Sequence, residues 1–503
     1  MKKEIHHGSQ FNKIYKHGFW YLVNSFGTKL LTVFLLPIIT RYVSPEEYGV
    51  LSSLTAVTQF LPIVISLYID SSFIRFYYED KKISHESVEK LYSTLFWFVL
   101  IFGLIVVVAI WVISRFTLQS FFNIGFWPII PLITLPALFN QLNSMASQLL
   151  RAELRSRDLA TLGIFNIVLG SGVSIILLAF FNLGIVALLV SGFLQSLVSI
   201  GYYLLHIRKE KILKMVFDFS ILKRSLLFSM PLLPNAAGGW ITAFSDRMIM
   251  TYFGAISQLG IYSIAFNISR NIYHINDAIT QVQSPIAMSA LSDNLESGKK
   301  MISEFITYYL WLMMFMFVSL TIFAHEILII LTDKKYHEAY KLIGLTAFPY
   351  VLSGLYRTYI TMLSFQNKMW VISASGVATP IISLGLNFLL IPMYGYYGMA
   401  LAFLVSTTFN SLWIIAWSQF YNRVPLQWSH IRETLYVSVV VLTGYIISEM
   451  YIKDFYITIV LKFSLIGFYL SSLIVFGNLR RDILPQFSVL FLKLKSMMNR
   501  QAA

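Results

Sequence analysis

Polar and charged side chains recur at helical spacing inside several long apolar segments of this sequence. The clearest case is the segment 257–281, which contains Asn267, Arg270, Tyr273, His274 and Asp277 at intervals of three or four residues. Side chains with this spacing lie on one side of an α-helix. Arginine binds phosphate oxygens through two parallel hydrogen bonds. The segment therefore predicts a helix with one polar face that can bind an anion.

Three further apolar segments contain charged or amide side chains. They are 18–40 with Asn24 and Lys29, 226–252 with Asn235, Asp246 and Arg247, and 339–363 with Arg357. A lysine or arginine near the centre of a bilayer costs about 3 kcal/mol, so these side chains must face water or each other. Cations outnumber acids in this set, which favours an anionic substrate that carries phosphate or pyrophosphate.

The residues divide into two predicted roles. The predicted substrate-binding residues of a central cavity are Lys29, Arg270, Arg357, Asn24, Asn235 and Tyr273. The residues predicted to couple or gate transport are Asp246, Arg247, Asp277 and His274. Two alternatives stay open at this point: Asp246 and Arg247 form a structural pair, and Asp277 neutralises Arg270, two turns away on the same helix.

Helices must position these residues, because the chain has the composition of a membrane protein. Of its 503 residues, 57% are hydrophobic and only 12% are charged, against about 25% charged in soluble domains. Apolar runs long enough to cross a bilayer predict fourteen spans: 18–40, 48–70, 91–113, 127–150, 159–181, 184–206, 226–252, 257–281, 304–325, 339–363, 370–391, 397–420, 434–451 and 456–476.

The distribution of Lys and Arg predicts the orientation of these spans. The loops on the N-terminal side hold 27 of the 38 basic residues, and the opposite loops hold 6. Because basic residues accumulate in cytoplasmic loops, both termini are predicted to be cytoplasmic. The same bias explains the net charge of +14 without a nucleic-acid partner.

An internal repeat predicts two lobes. At an offset of 211, Asn24, Gly27, Thr40, Gly49 and Ser52 fall on Asn235, Gly238, Thr251, Gly260 and Ser263. Six spans separate the copies, which predicts two like-oriented six-helix lobes with a substrate site between them. The predicted divisions are an N-terminal lobe 1–207, a cytoplasmic linker 208–225, a C-terminal lobe 226–420, and a region 421–503 with spans thirteen and fourteen and a basic tail.

Signatures of other chemistry do not occur in the sequence. It has no cysteine, no glycine-rich phosphate loop with a lysine, no cluster at metal-ligand spacing and no nucleophile elbow. No large outer loop is available to hold a catalytic centre. We therefore expect no enzymatic activity, no metal and no cofactor, and coupling to H⁺ or Na⁺ stays open.

The segments PIITRYVSPEEYGVLSSL and SDRMIMTYFGAISQLGIYSIAFNIS resemble the polysaccharide transporter family of bacterial oligosaccharide-lipid flippases. That family belongs to the superfamily of multidrug and toxic compound extruders and the lipid II flippase. The resemblance implies transfer of an undecaprenyl-pyrophosphate-linked oligosaccharide repeat unit to the outer leaflet by alternating access, for O-antigen, capsule or lipopolysaccharide synthesis. Membrane lipid, a polymerase and a chain-length regulator are the implied partners. It also implies that 434–451 and 456–476 accommodate the lipid tail.

Two other functions remain as alternatives. A cation-coupled multidrug exporter of the same superfamily would favour unpaired acids in the cavity. A membrane polysaccharide polymerase or ligase would act on the same sugars, although such an enzyme usually has a large outer loop.

Overall fold

The computed structural model describes residues 34–121, 127–153, 155–209, 212–452 and 454–475. These ranges are helical and contain no β-strand. The α-helices are α1 (34–42), α2 (Pro45–Ser66), α3 (Asp70–Lys81), α4 (His85–Phe121), α5 (Ile129–Ala152), α6 (Ser156–Ala179), α7 (Ile185–Lys209), α8 (Phe219–Ser229), α9 (Leu233–Tyr252), α10 (Ile256–Asp293), α11 (Leu295–Ile322), α12 (Ala324–Leu331), α13 (Tyr340–Phe365), α14 (Met369–Tyr394), α15 (Tyr396–Tyr421), α16 (Trp428–Tyr451) and α17 (Phe455–Val475).

The helices agree with the predicted membrane spans. Each of the second to fourteenth spans except the seventh falls largely on one helix, and within the described ranges nine helices are long and apolar enough to cross a membrane. The prediction of an all-α integral membrane protein is thus confirmed. Helices α9, α10 and α13, which carry predicted site residues, are not among the nine. Of the first span, 18–40, only the end lies within the described residues.

The seventh span differs from its prediction because it is not one helix. Helix α8 ends at Ser229, a short 3₁₀ helix covers Met230–Leu232, and α9 begins at Leu233. Pro231 and Pro234 lie at this break. Proline lacks the backbone N–H that a continuous helix requires and is tolerated in a helix's first turn, so both prolines occupy the positions where a new helix starts.

Local sequence signals fix the ends of α2. Ser44 accepts a hydrogen bond from the backbone N–H of Glu47, whose carboxylate accepts one from the Ser44 backbone, and Pro45 is the first helical residue. This capping box satisfies two otherwise unpaired donors. The helix ends in two consecutive residues of left-handed backbone conformation, Leu67 at φ 50° and Tyr68 at φ 59°. The chain then turns directly into α3.

The helices form two compact units. Among the described residues, the first unit comprises those up to Ile261 together with Ile330–Tyr336, and the second comprises Tyr262–Ile329 and those from His337 onward. The core of the first is built around fully buried residues such as Ile65, Phe73 and Leu95. A core of the second contains Ile302 and Met362 among others. The domain limits drawn from the sequence stay a prediction.

One contact in the first unit follows the internal repeat. A β-carbon added to Gly49 on α2 would lie 2.0 Å from the Ile256 carbonyl oxygen on α10, and one added to Gly260 would lie 1.8 Å from the Pro45 carbonyl oxygen. Pro45 and Ile256 are themselves separated by the repeat offset of 211. The contact is therefore reciprocal, as in a two-fold symmetric interface, and only glycine fits at both positions.

Helix α2 also contacts α9 within the first unit. The hydroxyl oxygens of Ser53 and Thr251 are 2.5 Å apart, and both residues are buried. One turn further along α2, the indole N–H of Trp240 donates a hydrogen bond to the Ala56 carbonyl at 2.8 Å. These bonds connect α2, which belongs to the predicted N-terminal lobe, to α9, which belongs to the predicted C-terminal lobe.

The predicted interlobe linker is held against α3 and α4. Arg224 on α8 forms two hydrogen bonds with the Asp80 carboxylate, at 2.8 and 3.3 Å, and its guanidinium lies 4.3 Å above the Phe76 ring. Trp97 on α4 donates a hydrogen bond to the Lys214 carbonyl. Asp80 is only 4% exposed, so its charge depends on Arg224. These contacts attach the linker to the first unit.

Helix α17 is attached to the second unit through a buried ion cluster. Lys462 has no exposed surface, and its ammonium lies 2.8 Å from a carboxylate oxygen of Glu326 on α12 and 3.3 Å from one of Glu449 on α16. The ring of Tyr445 lies 5.2 Å from the same ammonium. A buried lysine is stable only with such partners.

Candidate functional site

Helix α10 presents a polar, accessible face in the second unit. Asn267, Arg270 and Gln281 are exposed, and His274 and Asp277 are half-buried. Neighbouring positions such as Ile268, Ile272 and Asn276 are buried. Because backbone and side-chain polar groups on a membrane helix are not stable against lipid, this face must contact water.

Arg357 on α13 completes this face. Its guanidinium lies 2.5 Å from a carboxylate oxygen of Asp277 and donates a 2.6 Å hydrogen bond to the Tyr273 hydroxyl. The Tyr273 ring lies 4.9 Å from the guanidinium carbon. The other Asp277 oxygen accepts a 2.7 Å hydrogen bond from the Gln281 amide. Three predicted residues are therefore in direct contact, and Gln281, which the sequence reasoning missed, holds the acid.

This pairing answers one of the two open alternatives. Asp277 pairs with Arg357, 80 positions away in the sequence, rather than with Arg270. Arg270 is exposed and forms no ion pair with any residue in the described ranges. The face therefore contains two guanidinium groups and one carboxylate, a net charge of +1. This charge and the access to water suit the binding of an anion.

A second layer supports this face from α10, α11 and α13. The Asn276 amide donates a 2.9 Å hydrogen bond to the Ser353 hydroxyl, and Tyr309 donates one to the Val351 carbonyl. Asn276 and Ser353 are buried. These bonds join α10 and α11 to α13 beneath the contact between Arg357 and Asp277.

The predicted residues of α9 lie in the first unit and are arranged differently. Asp246 and Arg247 are 6% and 4% exposed, and a guanidinium nitrogen of Arg247 lies 2.9 Å from a carboxylate oxygen of its neighbour. The same nitrogen donates a hydrogen bond to the Ala243 carbonyl. Both charges are thus compensated and out of reach of water in this conformation. Asn235 is exposed near the start of the helix.

The remaining predicted residues, Asn24 and Lys29, lie outside the described residues. Among the part of the chain that the structure describes, no group of three or more His, Asp or Glu side chains is placed to hold a metal ion.

Comparison with solved structures identifies the fold. The lipid II flippase MurJ, in an inward closed conformation, has a TM-score of 0.71 and 13% identity over 90% of this chain and 98% of its own. A mutant of the Vibrio cholerae MATE transporter VcmN has a TM-score of 0.58 and 12% identity, over 83% of this chain and 98% of its own. An inward-facing multidrug resistance MATE transporter of the MOP superfamily has a TM-score of 0.57 and 14% identity, over 78% of this chain and 94% of its own.

Sequence comparison gives the family. No curated protein matches the chain significantly. The sequence profile of one family, described as "Polysaccharide biosynthesis protein", matches residues 38–341. This range includes α2 to α12, and with them the whole polar face of α10, but not Arg357 on α13. Together with a multi-pass helical fold shared with flippases and transporters, this match over more than half of the sequence shows that the chain belongs to the polysaccharide biosynthesis protein family.

Proposed function

We propose that the chain is a flippase that moves an undecaprenyl-pyrophosphate-linked oligosaccharide repeat unit from the cytoplasmic to the outer leaflet of the bacterial plasma membrane, for O-antigen, capsule or a related polysaccharide. The observation that carries this proposal is Arg270, which is exposed on a helix of a membrane protein and has no ion pair among the described residues. The polysaccharide family and the flippase-like fold support it.

The two arginines have different tasks in this proposal. Arg270 is free to bind pyrophosphate oxygens through two hydrogen bonds. Arg357 is held in place by Tyr273 and Asp277, so it meets the anion in a fixed orientation with little loss of side-chain entropy. Asp277 also reduces the positive charge of the face. A headgroup bound by such a site can leave again, as transport requires.

The polar face also offers groups for the sugar. Asn267, His274 and Gln281 lie along the same side of α10 as Arg270, and their amide and imidazole groups can exchange hydrogen bonds with sugar hydroxyls. Lys29, Asn24 and Asn235 stay predicted substrate-binding residues in this proposal. The polyprenyl tail stays in lipid, and rocking of the lobes releases the headgroup on the outer side. A polymerase and a chain-length regulator would act next, and the termini would be cytoplasmic.

The experiment is complementation of a deletion strain with the variant Arg270→Ala. We expect surface polymer to fall about 10-fold or more, because a hydrogen bond to a charged group contributes roughly 1.5–3 kcal/mol. Lipid-linked repeat units should accumulate in the inner leaflet. Arg115→Ala, which removes an exposed arginine from α4, is the matched control. Full surface polymer from Arg270→Ala at normal protein level would remove this residue from the mechanism.

A cation-coupled multidrug exporter is a second candidate, supported by the fold shared with MATE transporters. The pairing of Asp277 with Arg357 counts against it, since a cationic drug needs an uncompensated acid. Drug susceptibility of the deletion strain separates the two functions, and H⁺ or Na⁺ gradients can be varied in the same strain. Accumulation of repeat units that are already translocated but not polymerised would instead support a polymerase or ligase.

A further inference from the structure

A small polar pocket lies between α5, α6 and α7 in the first unit. It has a volume of about 250 Å³, and its lining includes Ser147, Arg151, Leu159, Asn166 and Tyr203. These residues belong to the last turns of α5, the first half of α6 and the last turns of α7. The pocket is thus distinct from the polar face of α10 and α13, which is in the second unit.

Arg151 gives this pocket its charge. The side chain is exposed and has no ion pair with any residue that the structure describes. Its neighbour Arg155 is different, because it is bound to Asp158 at 2.7 Å and lies 2.9 Å from the His206 ring nitrogen. The structure therefore provides acid partners for one arginine and leaves the other available to a ligand.

The other polar groups of the pocket are held in position. Asn166 donates a 2.6 Å hydrogen bond to Ser199 on α7, and Ser147 donates one to the Ser144 carbonyl. The Asn166 amide oxygen is buried and has no hydrogen-bond partner in the described part of the chain. A ligand hydroxyl that donates to this oxygen would satisfy it. The pocket thus combines a cation with an acceptor that lacks a donor.

Size and place restrict the ligand. The volume is below the roughly 300–1,000 Å³ of sites for drug-sized molecules, so a phosphate with a short polyol fits and an oligosaccharide does not. The three arginines at 151, 155 and 157 belong to a loop predicted to be cytoplasmic, at the level where phospholipid headgroups lie. A basic pocket between membrane helices on this side is suited to an anionic headgroup.

We propose that this pocket binds a phosphate ester that carries a free hydroxyl, with Arg151 on the phosphate and Asn166 on the hydroxyl. Two sources share this chemistry: the headgroup of phosphatidylglycerol in the cytoplasmic leaflet, and soluble glycerol 3-phosphate. This proposal does not depend on the identity of the transported substrate. If the proposed flippase function were wrong, ligand binding in this pocket would still be expected.

The test uses the purified full chain in detergent and native mass spectrometry with phosphatidylglycerol, phosphatidylcholine and glycerol 3-phosphate as probes. We expect wild-type protein to retain phosphatidylglycerol over phosphatidylcholine, and Arg151→Ala to bind it roughly 10-fold more weakly. Arg423→Ala is the matched control, because Arg423 is also exposed and lies in a loop predicted to be cytoplasmic. It should bind like wild type.

The arms of the experiment separate the sources. Arg151-dependent binding of phosphatidylglycerol alone assigns the lipid, and Arg151-dependent binding of glycerol 3-phosphate assigns the soluble ester. Arg151→Lys should restore part of the affinity, and Asn166→Leu, which removes the amide, should reduce the preference for the hydroxyl-bearing lipid. If the variants at 151 and 166 bind every probe as wild type does, the proposal is wrong.

Discussion

A disulfide between α2 and α9 would test whether the contact between these helices must open during transport. Ser53 and Thr251 have hydroxyl oxygens 2.5 Å apart, close to the 2.05 Å between bonded sulfurs. The double variant Ser53→Cys/Thr251→Cys should therefore cross-link on oxidation. The chain has no native cysteine, so no competing disulfide can form. Each single-cysteine variant serves as a control.

The expected stabilisation follows from the length of chain that the bond encloses. The two positions are 198 residues apart, and closing such a loop lowers the entropy of the unfolded chain by an amount equivalent to about 5 kcal/mol. The lost hydroxyl hydrogen bond costs about 1 kcal/mol. The free energy of unfolding of the oxidised double variant should thus exceed that of its reduced form by about 5 kcal/mol, and that of wild type by about 4 kcal/mol, as measured by denaturant unfolding with and without reductant.

Oxidation should raise the stability of the protein but lower its transport activity. If the predicted lobes separate at this contact in each cycle, oxidation should stop the appearance of surface polymer, and reductant should restore it. Quantitative cross-linking with undiminished transport would show that α2 and α9 stay together throughout the cycle. Failure of the two cysteines to cross-link at all would contradict the packing of α2 on α9 described above.

Three more perturbations test the contacts that hold the helices in place. Arg224→Ala should cost about 2–3 kcal/mol of unfolding free energy. This is less than the roughly 3–5 kcal/mol for breaking a fully buried pair, because Asp80 is buried but Arg224 is 39% exposed. An unchanged unfolding midpoint would contradict this prediction. The Ser220 hydroxyl and backbone amides at the start of α8 hold the pKa of Asp218 below its usual value of 3.8. Its stabilising effect should therefore be present well above pH 3.8 and decline as the pH falls from 3.8 through the lowered pKa. The variant Asp218→Asn should lack that part of the pH dependence in thermal unfolding. Gly260→Ala places a β-carbon against a backbone carbonyl of α2 and should cost about 1–3 kcal/mol or more, whereas alanine at the uncrowded Gly239 should cost less in the same unfolding assay.

The sequence predicts the membrane helices well because long apolar runs are a local property. The runs do not reveal α3 and α8, since these helices are short and mix charged with apolar residues. They also merge α8 with α9, because proline at positions 231 and 234 interrupts the helix without changing hydropathy. Periodicity alone cannot locate such a break.

The candidate site is predictable only in part. Helical spacing places Arg270, Tyr273 and Asp277 on one side of α10, and the structure confirms that they share a face. The partner of Asp277 is not predictable from spacing, because Arg357 approaches from another helix and tertiary packing decides which cation is nearer. The burial of Asp246 with Arg247 likewise depends on the packing of α9. The roles assigned to all these residues stay predictions.

The ion cluster around Lys462 has a consequence for how the protein is made. A lysine within an apolar segment raises the cost of integration into the bilayer by about 3 kcal/mol when it enters alone. Its two acidic partners, Glu326 and Glu449, lie on helices synthesised earlier. Helix α17 therefore integrates stably only after α12 and α16 are in place. Membrane integration of this region thus has a fixed order: the two glutamates are in the membrane before the lysine that pairs with them enters it.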